Sequence, residues 1–286
     1  MVRLTTFETL TELLDQRVKA TPSAVAFVEK NSTGRWQKTR WNQFHEAVRD
    51  LAGQLWRAGL RPGDHVAVMM PNGVRWEMVQ HAVYRIGGIV VGLDRNDPAE
   101  RIGDLFSLFD ARALIVEDRR LLERLPAAVL KALPLVLADL APAALSRRHD
   151  GASALAAKSV APEQAATVIF TSGTTGRPKA LIYSHRQLAL AIATITPLLA
   201  DLPDQAHTVC WLPLANPFQR MTNWCAMAAN WKTFMVSEPA KILEQVREIR
   251  PHFLVAVPRF YEKLHAGIRR RLEAMPGRLK SAAGWA

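Results

Sequence analysis

Residues 171–179 read Thr-Ser-Gly-Thr-Thr-Gly-Arg-Pro-Lys, a run that concentrates groups able to hold an anion. Thr171, Ser172, Thr174 and Thr175 place four hydroxyls within five positions. Gly173 and Gly176 open backbone angles closed to other residues, so successive N–H groups can converge on one oxygen. Lys179 adds a full positive charge behind Pro178, which stiffens the approach. Donors, backbone freedom and one cation describe a cradle for phosphate oxygens. The spacing is not that of the nucleotide loop ending in Gly-Lys-Ser/Thr, because Arg177 and Pro178 separate Gly176 from Lys179. Gly, Ser and Thr also make ordinary surface turns. The nine-residue order between two apolar strands favours the phosphate reading.

Those strands belong to a longer alternation. Ala165 to Phe170 reads as a buried strand that enters the loop, and Ala180 to Tyr183 as the strand that leaves it. Ser184 with Gln187 three residues on is a capping box that opens a helix. Upstream, Phe7, Leu10, Leu13 and Leu14 recur at helical spacing, and residues 24–28 follow as a strand. A helix over 42–58 puts Phe44, Val48, Leu51 and Leu55 on one face and stops at Gly59. Strands at 65–70, 89–91 and 113–116 alternate with a helix after Pro71-Asn72-Gly73 and another over 99–109. Apolar strands separated by helices and short turns predict the α/β class, with a parallel-rich sheet covered on both faces. In such sheets ligands bind beyond the carboxyl ends of the strands.

Composition bounds the partners. The 286 residues carry 37 Lys plus Arg against 26 Asp plus Glu, a formal charge of +11, so nucleic acid, membrane surfaces and small anionic substrates all come into view. The densest basic cluster, Arg269 to Arg271 with Arg278 and Lys280, has no interleaved aromatic residues, which argues against a nucleic-acid partner. Two cysteines, Cys210 and Cys225, leave no disulfide framework and no metal-ligand spacing, and fit a reducing cytoplasm. No run approaches the roughly 20 apolar residues that span a bilayer, so any membrane contact is expected to be peripheral. Residues 141–161, rich in Ala, Pro and Ser around Arg147, Arg148 and Asp150, read as a linker.

The loop with its flank Ser184-His185 resembles the phosphate-binding signature of the acyl-adenylate-forming superfamily, and Pro71-Asn72-Gly73 is similar to that superfamily's early Pro-Asn-Gly/Ser segment. Trp211-Leu212-Pro213-Leu214-Ala215-Asn216-Pro217-Phe218-Gln219-Arg220 resembles the Leu-Pro-Leu-x-His-x-x-x-Arg segment of long-chain fatty acyl-CoA synthetases. Val257-Pro258-Arg259-Phe260-Tyr261-Glu262-Lys263 resembles their Val-Pro-Arg-x-x-Glu-Lys segment. Plain packing accounts for part of this: Phe260, Leu264 and Ile268 form a helical stripe, and Arg259 and Glu262 can pair within that helix.

The resemblance implies an incomplete large N-terminal domain of an adenylate-forming enzyme over 1–286, with the rest of that domain and a small mobile domain beyond it. It implies ATP, Mg2+ and coenzyme A as cofactors, and a fatty acid converted to acyl-AMP and then to acyl-CoA. Thr171, Ser172, Gly173, Thr174, Thr175, Gly176 and Lys179 would hold phosphate, while Asn216 and Arg220 would line the acid site. No catalytic residue or metal ligand is assigned. Two positions depart from the pattern: Asn216 replaces His and takes up no proton near neutral pH, and Ala180 replaces Gly, where a methyl group threatens to crowd the loop. Two other readings follow, a nucleotide-binding piece without turnover and an aryl- or short-chain acid ligase of the same superfamily. Exposed apolar surface and self-association are expected of an incomplete sheet.

Overall fold

A computed structural model describes residues 3–138, 160–172 and 178–273. Most of the Ala-, Pro- and Ser-rich stretch, together with Arg278 and Lys280, lies outside them. The chain forms two units, 1–253 and 254–286.

The first unit is built on two sheets. β1 (Val25–Lys30), β2 (Trp36–Arg40), β9 (His207–Cys210) and β10 (Lys232–Met235) make a four-stranded sheet in the order β2-β1-β10-β9. β3 (His65–Met69), β4 (Ile89–Gly92), β5 (Ala111–Val116), β6 (Leu135–Leu137), β7 (Ala165–Ser172) and β8 (Pro178–Ser184) make a six-stranded sheet in the order β6-β5-β3-β4-β7-β8. Among the described strands only β2 and β8 run antiparallel to their neighbours, so the expected parallel-rich α/β architecture is present.

The helices among the described residues of this unit are α1 (Leu10–Ala20), α2 (Trp41–Arg57), α3 (Val74–Arg85), α4 (Ala99–Phe106), α5 (Ala127–Ala132), α6 (His185–Ile195), α7 (Pro217–Ala229) and α8 (Ile242–Ile249). α2 has the predicted apolar face: Phe44, Val48, Leu51 and Leu55 are buried. Each such side chain contributes roughly 1.5–3 kcal/mol by leaving water. The helix ends where Gly59 takes φ of 99°, a left-handed angle that favours glycine. α6 starts with the capping box read from the sequence: Gln187 N–H donates to Ser184 Oγ at 3.3 Å and Ser184 N–H to Gln187 Oε1 at 2.9 Å.

One core joins Phe27, Cys210 and Met235 of the four-stranded sheet to Val66, Val68 and Val90 of the six-stranded sheet through residues of α1, α2, α3, α6 and α7. A second core covers the opposite face of the six-stranded sheet with Ile102 and Leu105 of α4. Both cysteines are buried and free, and burial pushes the Cys210 thiol well above its usual range and Cys225 to about 11. No helix among the described residues is long and apolar enough to cross a membrane.

The second unit holds α9 (Pro258–Glu273). Its apolar stripe is less covered than the sequence implies: Phe260 and Leu264 are half-buried and Ile268 is 49% exposed. α9 is the one helix described in this unit, so no second described helix within it packs on the stripe. Arg259 and Glu262 are both exposed and form no ion pair with each other among the described residues.

Candidate functional site

The strand that enters the phosphate loop and the strand that leaves it form one antiparallel hairpin. β7 pairs with β8 from Ala165↔Ser184 up to Ser172↔Pro178, and residues 173–177 connect the paired ends. Gly173, Thr174, Thr175 and Gly176 therefore lie outside the described residues. Thr171 and Lys179 stand directly opposite each other, and both are exposed. Opposed residues of a ladder share a face, so a hydroxyl and an ammonium group emerge side by side. Thr167 lies on that same face, two pleats back along β7.

β7 runs parallel to β4, with Val91 opposite Val168. β4 ends at Gly92, whereas β7 continues to Ser172, so the hairpin reaches roughly 10 Å past the neighbouring strand end. It does so at the carboxyl edge of the sheet, the edge at which ligands bind in folds of this kind.

That edge also holds an open cleft. Its walls come from the turns that follow four strands: Met70, Pro71 and Asn72 after β3, Leu93 to Asn96 after β4, Pro213 to Ala215 after β9, and Ser237 and Pro239 after β10. The segment after β9 is irregular and needs fixing, and three contacts fix it. Gln219 Oε1 accepts from the N–H groups of Trp211 and Leu212 at 3.2 and 3.1 Å. Asn72 brackets the next residues, donating to the Leu212 carbonyl at 2.8 Å and accepting from Leu214 N–H at 3.1 Å. Gly92 lets the backbone of Ala215 come close, because a Cβ there would lie 2.9 Å from Ala215 Cα. The Pro-Asn-Gly segment thus acts as a clamp between the two sheets. Glu29 of β1 adds a tie by accepting from Val74 N–H at 3.0 Å, at the positive end of α3.

Asn216 and Arg220 occupy opposite environments. Asn216 is exposed at the start of α7, and its side chain does not cap the helix. Arg220 is fully buried. Its Nε donates to Gln80 Oε1 at 2.7 Å, and its two terminal nitrogens donate to Thr167 Oγ1 at 2.9 Å and Tyr84 Oη at 2.7 Å. The rings of Trp76 and Trp224 lie 5.4 and 5.2 Å from the guanidinium carbon. Every nitrogen of Arg220 has a protein acceptor, so its route to the edge runs through Thr167 and the strand.

Ala180 sits inside β8 opposite Phe170, without a positive φ, and packs against the second core. Its methyl group is accommodated in regular strand. The expected crowding is absent there.

Sequence reasoning missed the polar side chains between the sheets. Glu77 and Gln80 of α3 and Gln219 and Asn223 of α7 are all buried. Asn223 Nδ2 and Gln80 Nε2 donate to the two oxygens of Glu77 at 2.7 and 2.9 Å. Burial raises the Glu77 carboxyl to about 7, against the opposing pull of Asn223, Arg220 and Gln80. Polar residues at i, i+3 and i, i+4 on apolar helix faces were the available signal.

A family profile described as AMP-binding enzyme matches residues 14–283. The chain belongs to that family. It is 23% identical over 299 residues to the long-chain-fatty-acid–CoA ligase ACSBG2 of Homo sapiens, covering 97% of this chain and 45% of that protein. The chain therefore spans about half the length of this relative. The crystal structure of VinN superposes with a TM-score of 0.75 at 22% identity, over 96% of this chain and 67% of that one. The Klebsiella oxytoca NpsA N-terminal subdomain, in complex with 3-hydroxybenzoyl-AMSN, superposes with a TM-score of 0.70 at 20% identity, over 87% of this chain and 59% of that one. The fold is that of the N-terminal domain of adenylate-forming enzymes.

The residues present suit a polyphosphate: Thr171 and Lys179 supply a hydroxyl and a cation on one exposed face. Among the described residues no group of three or more His, Cys, Asp or Glu could hold a metal ion.

Proposed function

We propose that this chain is the nucleotide-binding portion of an enzyme that joins a fatty acid to coenzyme A by way of an acyl adenylate. The observation that carries the reading is the Thr171–Lys179 pair, exposed on one face of a hairpin that overreaches the carboxyl edge beside the cleft.

In the first step a carboxylate oxygen bonds to the α-phosphorus of ATP and the bond to the β-phosphate oxygen breaks. Negative charge collects on the departing pyrophosphate. Lys179 would neutralise that charge, and Thr171 would donate a hydrogen bond to the same oxygens. In the second step a coenzyme A thiolate attacks the acyl carbon and AMP leaves. Positioning and charge stabilisation supply most of what the protein contributes. Asn72, Gly92 and Gln219 would hold the Leu-Pro-Leu segment as one wall of the acid site, with Asn216 at its rim. Arg220 would act as a positioning residue through Thr167. Because Asn216 takes up no proton, any control at that rim would come from hydrogen bonding rather than charge.

The fatty-acid reading rests on the two long-chain-like segments and on the human relative, which is named a long-chain-fatty-acid–CoA ligase. An aryl acid is the second reading, supported by the hydroxybenzoyl analogue named with the NpsA structure. The deciding experiment is ATP–pyrophosphate exchange with octanoate, palmitate, benzoate and aspartate, on the 286-residue chain and on any longer reading frame that contains it. Exchange is expected with the fatty acids and only from the longer protein, because 286 residues span 45% of the human relative's length. Exchange confined to benzoate or aspartate would replace the fatty acid as the substrate class.

A further inference from the structure

Between the cleft and the hairpin runs a chain of buried side chains that the proposed chemistry does not use directly. It has two arms that meet at Glu77. One arm passes from the N–H groups of Trp211 and Leu212 to Gln219 Oε1, from Gln219 Nε2 to Asn223 Oδ1 at 3.0 Å, and from Asn223 Nδ2 to Glu77 Oε1 at 2.7 Å. The other passes from Arg220 Nε to Gln80 Oε1 at 2.7 Å, and from Gln80 Nε2 to Glu77 Oε2 at 2.9 Å. Arg220 extends that arm to Thr167, whose hydroxyl donates to the Val90 carbonyl at 2.7 Å.

The chemistry of the groups fixes the direction of each amide. Gln219 spends its carbonyl on two backbone donors, so its NH2 faces Asn223, whose own NH2 must then face Glu77. Arg220 can only donate, so the Gln80 carbonyl faces it and the Gln80 NH2 faces Glu77. Both arms therefore deliver donors to one point, and a group that only accepts satisfies both. We propose that Glu77 is a positioning residue whose carboxylate locks the segment leaving β9 and the strand β7 into one fixed relation, so that the acid wall and the phosphate hairpin are held as a unit. Its bearing on catalysis rests on the phosphate reading of the hairpin; the mechanical coupling does not.

Protonation would break the lock, because an O–H would then face an N–H. The charged and titratable groups that interact with Glu77 are Arg220 of α7, Tyr84 of its own helix and Cys210 of β9. With the folded carboxyl raised from 4.5 to about 7, its contribution to stability is present below about 4.5 and is lost as pH rises through about 7. The lock has the opposite dependence and engages as the carboxylate forms. A space-filling role would move stability and order together.

The test is hydrogen–deuterium exchange on the whole 286-residue chain, without nucleotide, above pH 7 and corrected for intrinsic rates. The variants are Glu77→Gln, Asn223→Asp and the double variant. In the double variant the residue-77 amide donates to the residue-223 carboxylate, which also accepts from Gln219, while the residue-77 carbonyl accepts from Gln80. The bond between residues 77 and 223 is thereby restored with its polarity reversed, while Gln219 and Gln80 donate as in the parent. Each single variant should raise exchange in both 165–172 and 207–216 by about ten-fold, the worth of one buried hydrogen bond. The double variant should return both segments to within about two-fold of the parent. Exchange that changes in only one segment, or a double variant that does no better than the worse single one or fails to fold, overturns the proposal. MgATP binding is measured on the same proteins, and its absence in the parent would sink the phosphate reading while leaving the exchange result standing.

Discussion

Thr167 and Thr171 share one face of one strand, yet they live in different worlds. Thr167 is buried, accepts from Arg220 and donates to Val90. Thr171 is exposed, opposite an exposed Lys179. Two cations, Arg220 and Lys179, mark the same contrast: one has an acceptor for each nitrogen inside the protein, and the other stands at the surface. A buried charge must be satisfied by the fold itself, whereas an exposed cation beside a hydroxyl is left for an anion from solution. The strand changes from architecture to binding surface over four residues.

The largest effect that would sharpen this contrast is expected at Arg220. Arg220→Met should destabilise the chain by about 3–5 kcal/mol in urea unfolding, because it removes three buried charge-assisted hydrogen bonds and leaves Gln80, Thr167 and Tyr84 without their donor. A loss under about 1 kcal/mol would place Arg220 with the binding residues. Lys179→Ala should do the reverse. Its urea midpoint should stay within about 0.5 kcal/mol of the parent, while MgATP affinity by calorimetry falls roughly ten- to a hundred-fold. Gly92→Ala should cost about 1–3 kcal/mol, since the new methyl would meet Ala215 Cα at 2.9 Å. The smallest effect is Ala180→Gly, expected to lose about 0.5–1 kcal/mol because a strand residue regains backbone freedom. A gain in stability there would mean that the methyl strains the hairpin after all.

Much of the fold was legible in the sequence because local chemistry decides it. Period-two and period-3.6 apolar patterns placed β3, β4, β5 and α2 to within a residue or two, and Ser184 with Gln187 marked the start of α6. What stayed hidden depends on partners far away in the chain. β1 reads as a strand, but its neighbour β10 arrives some 200 residues later, with Phe27 opposite Thr233, so the four-stranded sheet has no local signature. Asn72 reads as part of a turn until Leu212 and Leu214 are seen on either side of its amide. Arg220 reads as a ligand-binding cation because a residue type carries no record of burial. Glu77, Gln80, Gln219 and Asn223 look like breaks in two apolar faces, and only their convergence gives them a role. Of the site itself, the sequence puts Thr171 and Lys179 at the two ends of the loop, while their pairing across a hairpin needed the register.

Binding of a polyphosphate by the hairpin is the central claim. Titration of the 286-residue chain with MgATP, followed by hydrogen–deuterium exchange across residues 165–184, tests this in one sample. Protection of that hairpin on binding, abolished by Lys179→Ala, is the predicted result. Binding that leaves the hairpin's exchange unchanged, or that survives the loss of Lys179 in full, would contradict the account.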